Sequence, residues 1–241
     1  MSIPRIRSSI AFLFVGALVA PPVLAQQPDT TTPAHRSGEG WWQKRHEEKA
    51  AGVKESKAEV LFIGDSITQG WEGAGKETWQ RFYGPRRGFN IGFSGDRTQH
   101  VLWRLDNAEA DGIQPKVAVM MIGTNNMGGN SPEAIADGVK AIVAKLDSKL
   151  PQTKVLLLAI FPRSEKPTDA IREKVAKTNE LLKPIADGKK VVYLDIGKSF
   201  LAEDGTLSKE IMPDFLHLSP KGYRIWADSI EPTLWSMMEA K

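Results

Sequence analysis

A serine directly after an apolar stretch is the first feature of the chain that could do chemistry. Ser66 lies in EVLFIGDSITQGWEG (59–73), where a run typical of a buried strand ends at Gly-Asp-Ser. Ser66 would fall in the first turn of a following helix, where free N–H groups and a partial positive charge favour an oxyanion. Serine and aspartate are also common helix N-caps, so this stretch alone leaves a structural role open.

A serine nucleophile needs a base. The sequence contains four histidines, His35, His46, His100 and His217. The first lies in a Thr/Pro-rich stretch, the second in a run of charges typical of a solvated helix, and the third in a helical stretch where packing or capping is expected. His217 has Asp214 three residues before it, in a loop that could place the carboxylate on one ring nitrogen while the other faces away. With Ser66, these two residues would complete a proton-transfer chain.

Two further loops contain residues that could stabilise a developing oxyanion. Asn125 lies in GTNNMGG after the third predicted strand, where its side-chain amide could donate to a ligand. Gly95 lies in GFSGDRT after the second, where its main-chain N–H is not covered by a side chain. With the N–H of Ser66 there would be three donors, and losing one such donor typically costs about 3 kcal/mol of barrier lowering. Asn125 also fits an Asx-turn, which leaves a structural role open.

Five other residues in these loops and strand ends are weaker candidates for the substrate site. They are Asp65, Arg97, Asn126, Met127 and Arg163. Asp65 is also expected to support the turn by hydrogen bonding, and Arg163 to shape the rim of the site. Their positions beside the strand ends are the reason for including them, because ligands of open parallel sheets bind there.

Other kinds of enzyme fit the sequence less well. A phosphatase with Asp65 as its nucleophile would need a second aspartate two residues on, where the chain has Ile67. The histidines lack the spacing of zinc ligands, and GDSITQG is not the G-x-G-x-x-G of a dinucleotide-binding loop. The sequence has no cysteine, which excludes disulfides, zinc–thiolate sites and a cysteine nucleophile.

The elements that must position these residues are short strands alternating with amphipathic helices. Strands are predicted at 59–63, 88–91, 116–121, 154–160 and 190–194. Helices are predicted at 39–52, ending at Gly52, and at 131–150, 168–187 and 219–238. This alternation predicts an α/β protein with a mainly parallel five-stranded sheet covered on both faces.

The first 38 residues differ in composition from the rest of the chain. Residues 1–25 have Arg5 and Arg7, an apolar run and a small-x-small ending, which predicts a signal peptide and an exported protein, periplasmic or secreted. Residues 26–38 are Thr/Pro/Gln-rich and predict a flexible tether, leaving 39–241 as one domain. Without Arg5 and Arg7 the chain has 30 basic and 29 acidic residues, so no nucleic-acid partner is expected. A membrane anchor is the alternative to a signal peptide, but the apolar run is short and Pro21-Pro22 interrupts it, so no stable membrane insertion is expected after cleavage.

Four ordered blocks resemble those of the SGNH, or GDSL-like, hydrolase superfamily. The blocks are FIGDSITQGW, NIGFSGDRTQHVLWRL, VAVMMIGTNNM and DFLHLSPKGY, with Ile67 in place of the family's Leu. The family's Ser, Gly, Asn, His and Asp fall on Ser66, Gly95, Asn125, His217 and Asp214. With IFPRSEKP, the blocks are especially similar to the catalytic subunits of intracellular platelet-activating-factor acetylhydrolase.

The resemblance implies a three-layer α/β/α, flavodoxin-like domain and an esterase that removes small acyl groups without a metal or other cofactor. The expected function is hydrolysis of short-chain, chiefly acetyl, esters of small molecules or carbohydrates through an acyl-enzyme on Ser66. A lipase or lysophospholipase, and a non-catalytic carbohydrate-binding module on the same scaffold, stay open as alternatives. The oligomeric state, including a homodimer, also stays open, because a pairing surface looks like any helix face in the sequence.

Overall fold

The computed structural model describes residues 29–239 and contains a five-stranded, wholly parallel sheet. The strands are β1 (Val60–Gly64), β2 (Gly88–Gly92), β3 (Val117–Met121), β4 (Lys154–Leu158) and β5 (Val191–Leu194). Their order across the sheet is β2-β1-β3-β4-β5, the flavodoxin-like order, so the predicted fold is confirmed. In register, Gly64 at the end of β1 lies between Gly92 and Met121, which brings the three following loops together.

Helices cover both faces of the sheet. They are α1 (Gly40–Ser56), α2 (Ser66–Gln69), α3 (Lys76–Phe82), α4 (Thr98–Asp106), α5 (Pro132–Lys149), α6 (Ala170–Leu182) and α7 (Pro220–Glu239). Short 3-10 turns lie at Gly70–Glu72, Thr124–Asn126, Lys183–Ile185 and Gly197–Phe200. None of these helices within residues 29–239 is both long and apolar enough to serve as a membrane span.

The sheet separates two hydrophobic cores. In β1, Leu61 and Ile63 face the core beneath α1, α4, α5 and α6, whereas Val60 and Phe62 face the core beneath α2, α3 and α7. All five residues of β1 are buried, as expected for the central strand of a parallel sheet covered on both sides. The second core is rich in aromatic rings, and Trp71 packs there against Trp226, with ring centroids 4.9 Å apart.

Most predicted elements lie within a few residues of their observed bounds, but the first helix does not end at Gly52. Helix α1 continues to Ser56, and Lys57 adopts the left-handed conformation, with φ of 47°. The additional turn buries Val53 in the first core. This burial favours helix continuation more than a single glycine disfavours it, because glycine in a helix costs only about 1 kcal/mol.

The prediction of a flexible tether at 26–38 is wrong for the part that the structure describes. Thr30 is buried, and its hydroxyl donates to the carbonyl of Ala134 at 2.6 Å. The N–H of Ala34 donates to the carbonyl of Gln99 at 3.0 Å. Side-chain and main-chain hydrogen bonds therefore tie this segment to α4 and α5, which composition cannot reveal. The predicted signal peptide, 1–25, and residues 26–28 lie outside the described residues.

Candidate active site

Ser66 stands at the carboxyl end of the central strand and begins α2. Gly64 is needed immediately before it, since a Cβ there would lie 2.1 Å from the Thr68 hydroxyl oxygen and 2.5 Å from the Met121 carbonyl oxygen. Asp65 caps α2 by accepting a hydrogen bond of 2.9 Å from the N–H of Ile67. The side chain of Ser66 is thus presented on a short helix held directly by the sheet.

His217 and Asp214 come from the loop that precedes α7. Oδ1 of Asp214 accepts from two main-chain N–H groups, those of His217 at 2.7 Å and Leu216 at 3.1 Å. Phe215 between them adopts a left-handed conformation with φ of 57°, and its carbonyl accepts from the N–H of Ser164 at 2.9 Å. These bonds give the loop one defined shape without secondary structure.

The three side chains predicted to form a proton-transfer chain meet in the structure. Ser66 Oγ lies 2.9 Å from His217 Nε2, and His217 Nδ1 lies 2.6 Å from Asp214 Oδ2. Because a carboxylate only accepts, the Nδ1 hydrogen points to Asp214 and Nε2 is left as an acceptor for the serine hydroxyl. Partial burial alone would raise the pKa of Asp214, but the hydrogen bonds from His217 and Leu216 outweigh it and lower that pKa. Asp214 is therefore ionised and fixes the tautomer of His217.

Gly95 lies beside this chain in the loop between β2 and α4. Its φ of +73° is in the left-handed region, where glycine is unstrained. Among the described residues, neither the N–H of Gly95 nor that of Ser66 has a hydrogen-bond acceptor. Both N–H groups are therefore left to donate to a ligand, and their role as oxyanion donors stays a prediction.

Asn125 lies in the 3-10 turn after β3 and is half-buried. Its Nδ2 donates one hydrogen to the carbonyl of Asp96 at 2.9 Å. An amide nitrogen carries two hydrogens, so one is left for a ligand. The bond fixes the side chain against the loop of Gly95 and links the two donor-bearing loops.

Three of the weaker substrate-site candidates do not face a ligand, and their prediction as substrate-binding residues is wrong. Asp65 and Asn126 are fully buried and Met127 is 3% exposed, packed in the first core. Burial raises the pKa of Asp65 to about 7 against the opposing hydrogen bond from Ile67. Asn126 instead joins loops, accepting from the N–H of Thr98 at 3.1 Å. The burial of Asp65 also excludes it as a directly attacking nucleophile.

The remaining two weak candidates are only half-buried. Arg163 donates from Nη1 to the carbonyl and the hydroxyl of Thr124, both at 3.2 Å, and so braces the turn that carries Asn125. Arg97 directly precedes α4, and its main-chain N–H donates to Nδ1 of His100 at 3.0 Å. Burial lowers the pKa of His100 to about 4, so this histidine is neutral and acts as a cap, one of the two roles expected for it.

A buried chain of charges behind the Gly95 loop was not anticipated from the sequence. Asp96 accepts from Arg104 Nε at 2.8 Å and from Trp42 Nε1 at 2.7 Å. Arg104 also pairs with Glu109, whose other oxygen lies 2.8 Å from Nδ1 of His46. The prediction of a solvated His46 is therefore wrong, since it is 6% exposed. The sequence signal was only that charged residues lie near Trp42 and Trp103 in two stretches predicted to be helical.

No cluster of three or more His, Asp or Glu side chains in residues 29–239 is arranged to hold a metal ion.

The site contains a serine hydroxyl, an imidazole and a carboxylate in series, beside free N–H donors. It lies at the carboxyl edge of a parallel sheet. This combination places the protein in the class of α/β/α hydrolases. Residues 62–225 match the model of the GDSL-like lipase/acylhydrolase family. The chain belongs to this family, and it is thereby a hydrolase that acts on esters.

Individual relatives agree with this assignment. The chain is 40% identical over 187 residues to platelet-activating factor acetylhydrolase IB subunit alpha1 of Bos taurus, covering 77% of this chain and 79% of that protein. It is 38% identical over 203 residues to subunit alpha2 of Rattus norvegicus, covering 84% and 87%. A GDSL-like lipase structure from Bacteroides thetaiotaomicron shares the fold, with a TM-score of 0.65, 22% identity and coverage of 80% and 97%.

Proposed function

We propose that the protein is a serine esterase that hydrolyses short-chain acyl esters, chiefly acetyl esters, through an acyl-enzyme on Ser66. The observation that carries this proposal is the 2.9 Å contact between Ser66 Oγ and His217 Nε2, with Asp214 2.6 Å from the other ring nitrogen. Because the Nδ1 hydrogen points to Asp214, Nε2 can accept the proton of the serine hydroxyl as its oxygen attacks the ester.

In the first half of the reaction, Ser66 Oγ bonds to the ester carbonyl carbon while its proton passes to His217 Nε2. Asp214 stabilises the imidazolium that forms. The negative charge on the carbonyl oxygen is stabilised by the N–H groups of Ser66 and Gly95 and by the free hydrogen of Asn125 Nδ2. His217 then protonates the leaving alcohol as the carbon–oxygen bond breaks, leaving the acyl group on Ser66.

In the second half, water attacks the acyl carbon and loses its proton to His217. The same donors stabilise the second oxyanion, and the imidazolium returns its proton to Ser66 Oγ as the carboxylic acid leaves. Apart from the ester and water, each step uses groups of this chain.

Two observations support a small acyl group. The side chains of His217 and Asp214 are 46% and 56% exposed. The two residues that would transfer the proton therefore lie at the protein surface rather than at the end of a deep apolar channel. The two mammalian relatives are named acetylhydrolases, which is consistent with an acetyl substrate. An alcohol portion of varied size, including a carbohydrate, could approach so open a site.

The test compares wild type with Ser66→Ala and with Ser236→Ala, an exposed serine on α7. The assay uses p-nitrophenyl esters of rising acyl length and acetylated sugars. We expect Ser66→Ala to lose essentially all activity and Ser236→Ala to keep it, with rates falling sharply beyond acetate or butyrate. Equal activity of the Ser66→Ala protein would disprove the nucleophile.

A fluorophosphonate probe separates catalysis from simple binding. We expect covalent labelling of wild type at Ser66 and none of Ser66→Ala. A protein that binds acetylated sugars but is neither labelled nor active would be a non-catalytic module. A preference for long acyl chains would instead identify a lipase or lysophospholipase.

We also propose that the protein is exported to the periplasm or beyond it, on the strength of residues 1–25 in the sequence. Mass spectrometry of the protein recovered from the producing cells tests this, with a mature N-terminus at Gln26 as the expected result. Intact residues 1–25 in a cytosolic fraction would argue against export.

A further inference from the structure

The segment before α1 places an arginine directly on the loop of Gly95. Arg36 Nη1 donates to the carbonyl of Ser94 at 2.6 Å and lies 3.2 Å from Oδ1 of Asp96. Its Nε and Nη2 donate to the two carboxylate oxygens of Glu39 at 3.0 and 2.6 Å. Only 14% of the Arg36 side chain is exposed, so the guanidinium is held on both sides.

The bond to Ser94 controls the direction of a different group. The carbonyl of Ser94 and the N–H of Gly95 belong to one peptide unit, which is planar and trans, so they point in opposite directions. A donor that fixes this carbonyl therefore fixes the Gly95 N–H. A charged donor on the oxygen also polarises the peptide, and hydrogen bonds that polarise one another in series become stronger.

From this geometry we propose that Arg36 is a positioning residue that aims and polarises the Gly95 N–H toward the oxyanion. The inference rests on the proposed function, in which Gly95 supplies an oxyanion donor. The segment that sequence composition predicted to be a tether thereby becomes part of the active-site architecture. Residues Thr30 and Ala34, bonded to α5 and α4, anchor Arg36 at this place.

The position of Gly95 agrees with this role. A Cβ on Gly95 would lie 3.2 Å from both Nη1 and Nη2 of Arg36, so a side chain would crowd the guanidinium as well as strain the left-handed backbone. The absence of a side chain lets the cation approach the peptide closely.

Arg45 provides a matched control on the same side of the molecule. It is also 14% exposed, also pairs with a glutamate (Glu72), and also donates to a main-chain carbonyl, that of Gly92, at 3.0 and 2.9 Å. The N–H of the same peptide unit belongs to Phe93, and it is already bonded to the carbonyl of Gly64 at 3.1 Å. Apart from the contact of Arg36 with Asp96, Arg45 thus makes the same kinds of contact without orienting a free donor.

The experiment measures kcat and KM for p-nitrophenyl acetate, and the inhibition constant of a trifluoromethyl ketone, for Arg36→Gln, Arg36→Lys and Arg45→Gln. The ketone forms a tetrahedral adduct whose oxyanion needs the same donors. For Arg36→Gln we expect kcat to fall about 10- to 100-fold with KM nearly unchanged, less than the full loss of a donor. The ketone should weaken by the same factor, and Arg36→Lys should recover part of both losses.

Arg45→Gln should lower the melting temperature about as much as Arg36→Gln, but change kcat and ketone binding by less than about threefold. Equal losses of kcat in the two variants, or unchanged ketone binding in Arg36→Gln, would overturn the positioning role. If Arg36→Gln does not fold, Arg36→Met decides, because methionine has no donor for the Ser94 carbonyl: wild-type kcat and ketone binding in that variant would equally overturn the positioning role.

The Ser66→Ala variant distinguishes this failure from failure of the proposed function. An inactive Ser66→Ala protein together with an unaffected Arg36→Gln protein would remove the positioning role alone. Wild-type activity in Ser66→Ala would remove both, since Arg36 acts on a donor for the same serine.

Discussion

Replacing Asp214 by asparagine tests how much the carboxylate contributes to catalysis at an exposed site. Asparagine keeps the oxygen that accepts from the N–H groups of His217 and Leu216, so the loop should keep its shape. It removes the negative charge and replaces Oδ2, the acceptor for His217 Nδ1, with an NH₂ group. The substitution therefore isolates the charge and the tautomer from the fold of the loop.

The expected loss follows from the geometry of the ion pair in the transition state. For unit charges at the observed 2.6 Å, Coulomb's law gives about 1.6 kcal/mol at the dielectric constant of water and about 3.2 kcal/mol at half that value. Both side chains are about half exposed, so solvent screening makes this range appropriate. The NH₂ group of asparagine also favours the His217 tautomer with its hydrogen on Nε2, which cannot accept the serine proton. Restoring the reactive tautomer costs about one net hydrogen bond, or about 1 kcal/mol of activation free energy, since water can replace the partner. The total corresponds to a fall of about 100- to 1,000-fold in kcat.

The assay is steady-state hydrolysis of p-nitrophenyl acetate at neutral pH, with melting temperatures recorded for each protein. Asp204→Asn is the control, because Oδ1 of Asp204 likewise accepts from a loop N–H, that of Thr206, but touches no histidine. A fall of about 10,000-fold, as found where the triad carboxylate is buried, would refute the screening argument. A fall below about tenfold would refute the role of Asp214 in the proton-transfer chain.

Three further substitutions test the structure around the site. Gly64→Ala should destabilise the protein by about 3 kcal/mol and lower kcat about 100-fold, because the new Cβ collides with Thr68 behind the serine. Gly128→Ala is the control in the same melting and rate assays: nothing lies within 4 Å of its new Cβ, so neither stability nor kcat should change. Burial raises the pKa of Asp65 to about 7, so the folded state holds a proton that the unfolded state releases near pH 4. Wild-type melting temperature, relative to Asp65→Asn, should thus fall by roughly 10 °C as pH rises from about 4 to 7, and a flat difference would contradict this. Arg104→Met should lower the free energy of unfolding in urea by about 3–5 kcal/mol, because it removes the buried cation that bridges Asp96 and Glu109, and a loss below about 1 kcal/mol would contradict that pairing.

The sheet and its helices were predictable because their signals are local. Apolar runs such as 60–64 have the length of buried strands, and the apolar residues of 132–149 recur at helical spacing. Alternation of the two element types then limits the topology, since parallel strands need crossover helices and these are almost always right-handed. The bounds failed at the end of α1, where burial of Val53 rather than the local residue Gly52 decided the end, and at the end of α6, which stops at Leu182 rather than at 187, before a 3-10 turn that contains Pro184.

The weaker site residues show where sequence reasoning stops. Asp65, Asn126 and Met127 stand in the correct loops, yet each side chain is buried. Within a loop, adjacent residues point in different directions, and the loop conformation sets which of them faces the ligand. Asn125 and Asn126 are chemically identical neighbours, and their contacts differ only because the 3-10 turn directs them to opposite surroundings.

The amino-acid sequence alone specifies the types of side chain at the strand ends, the order of the strands along the chain, and the chemistry that a hydroxyl, an imidazole and a carboxylate can perform together. The folded structure is needed to show that Ser66 and His217, 151 positions apart, lie 2.9 Å from each other. It also decided that the segment of Arg36 packs against the loop of Gly95. Both depend on contacts between residues far apart in the chain, whose free energies come from packing and hydrogen bonds that composition and periodicity do not encode.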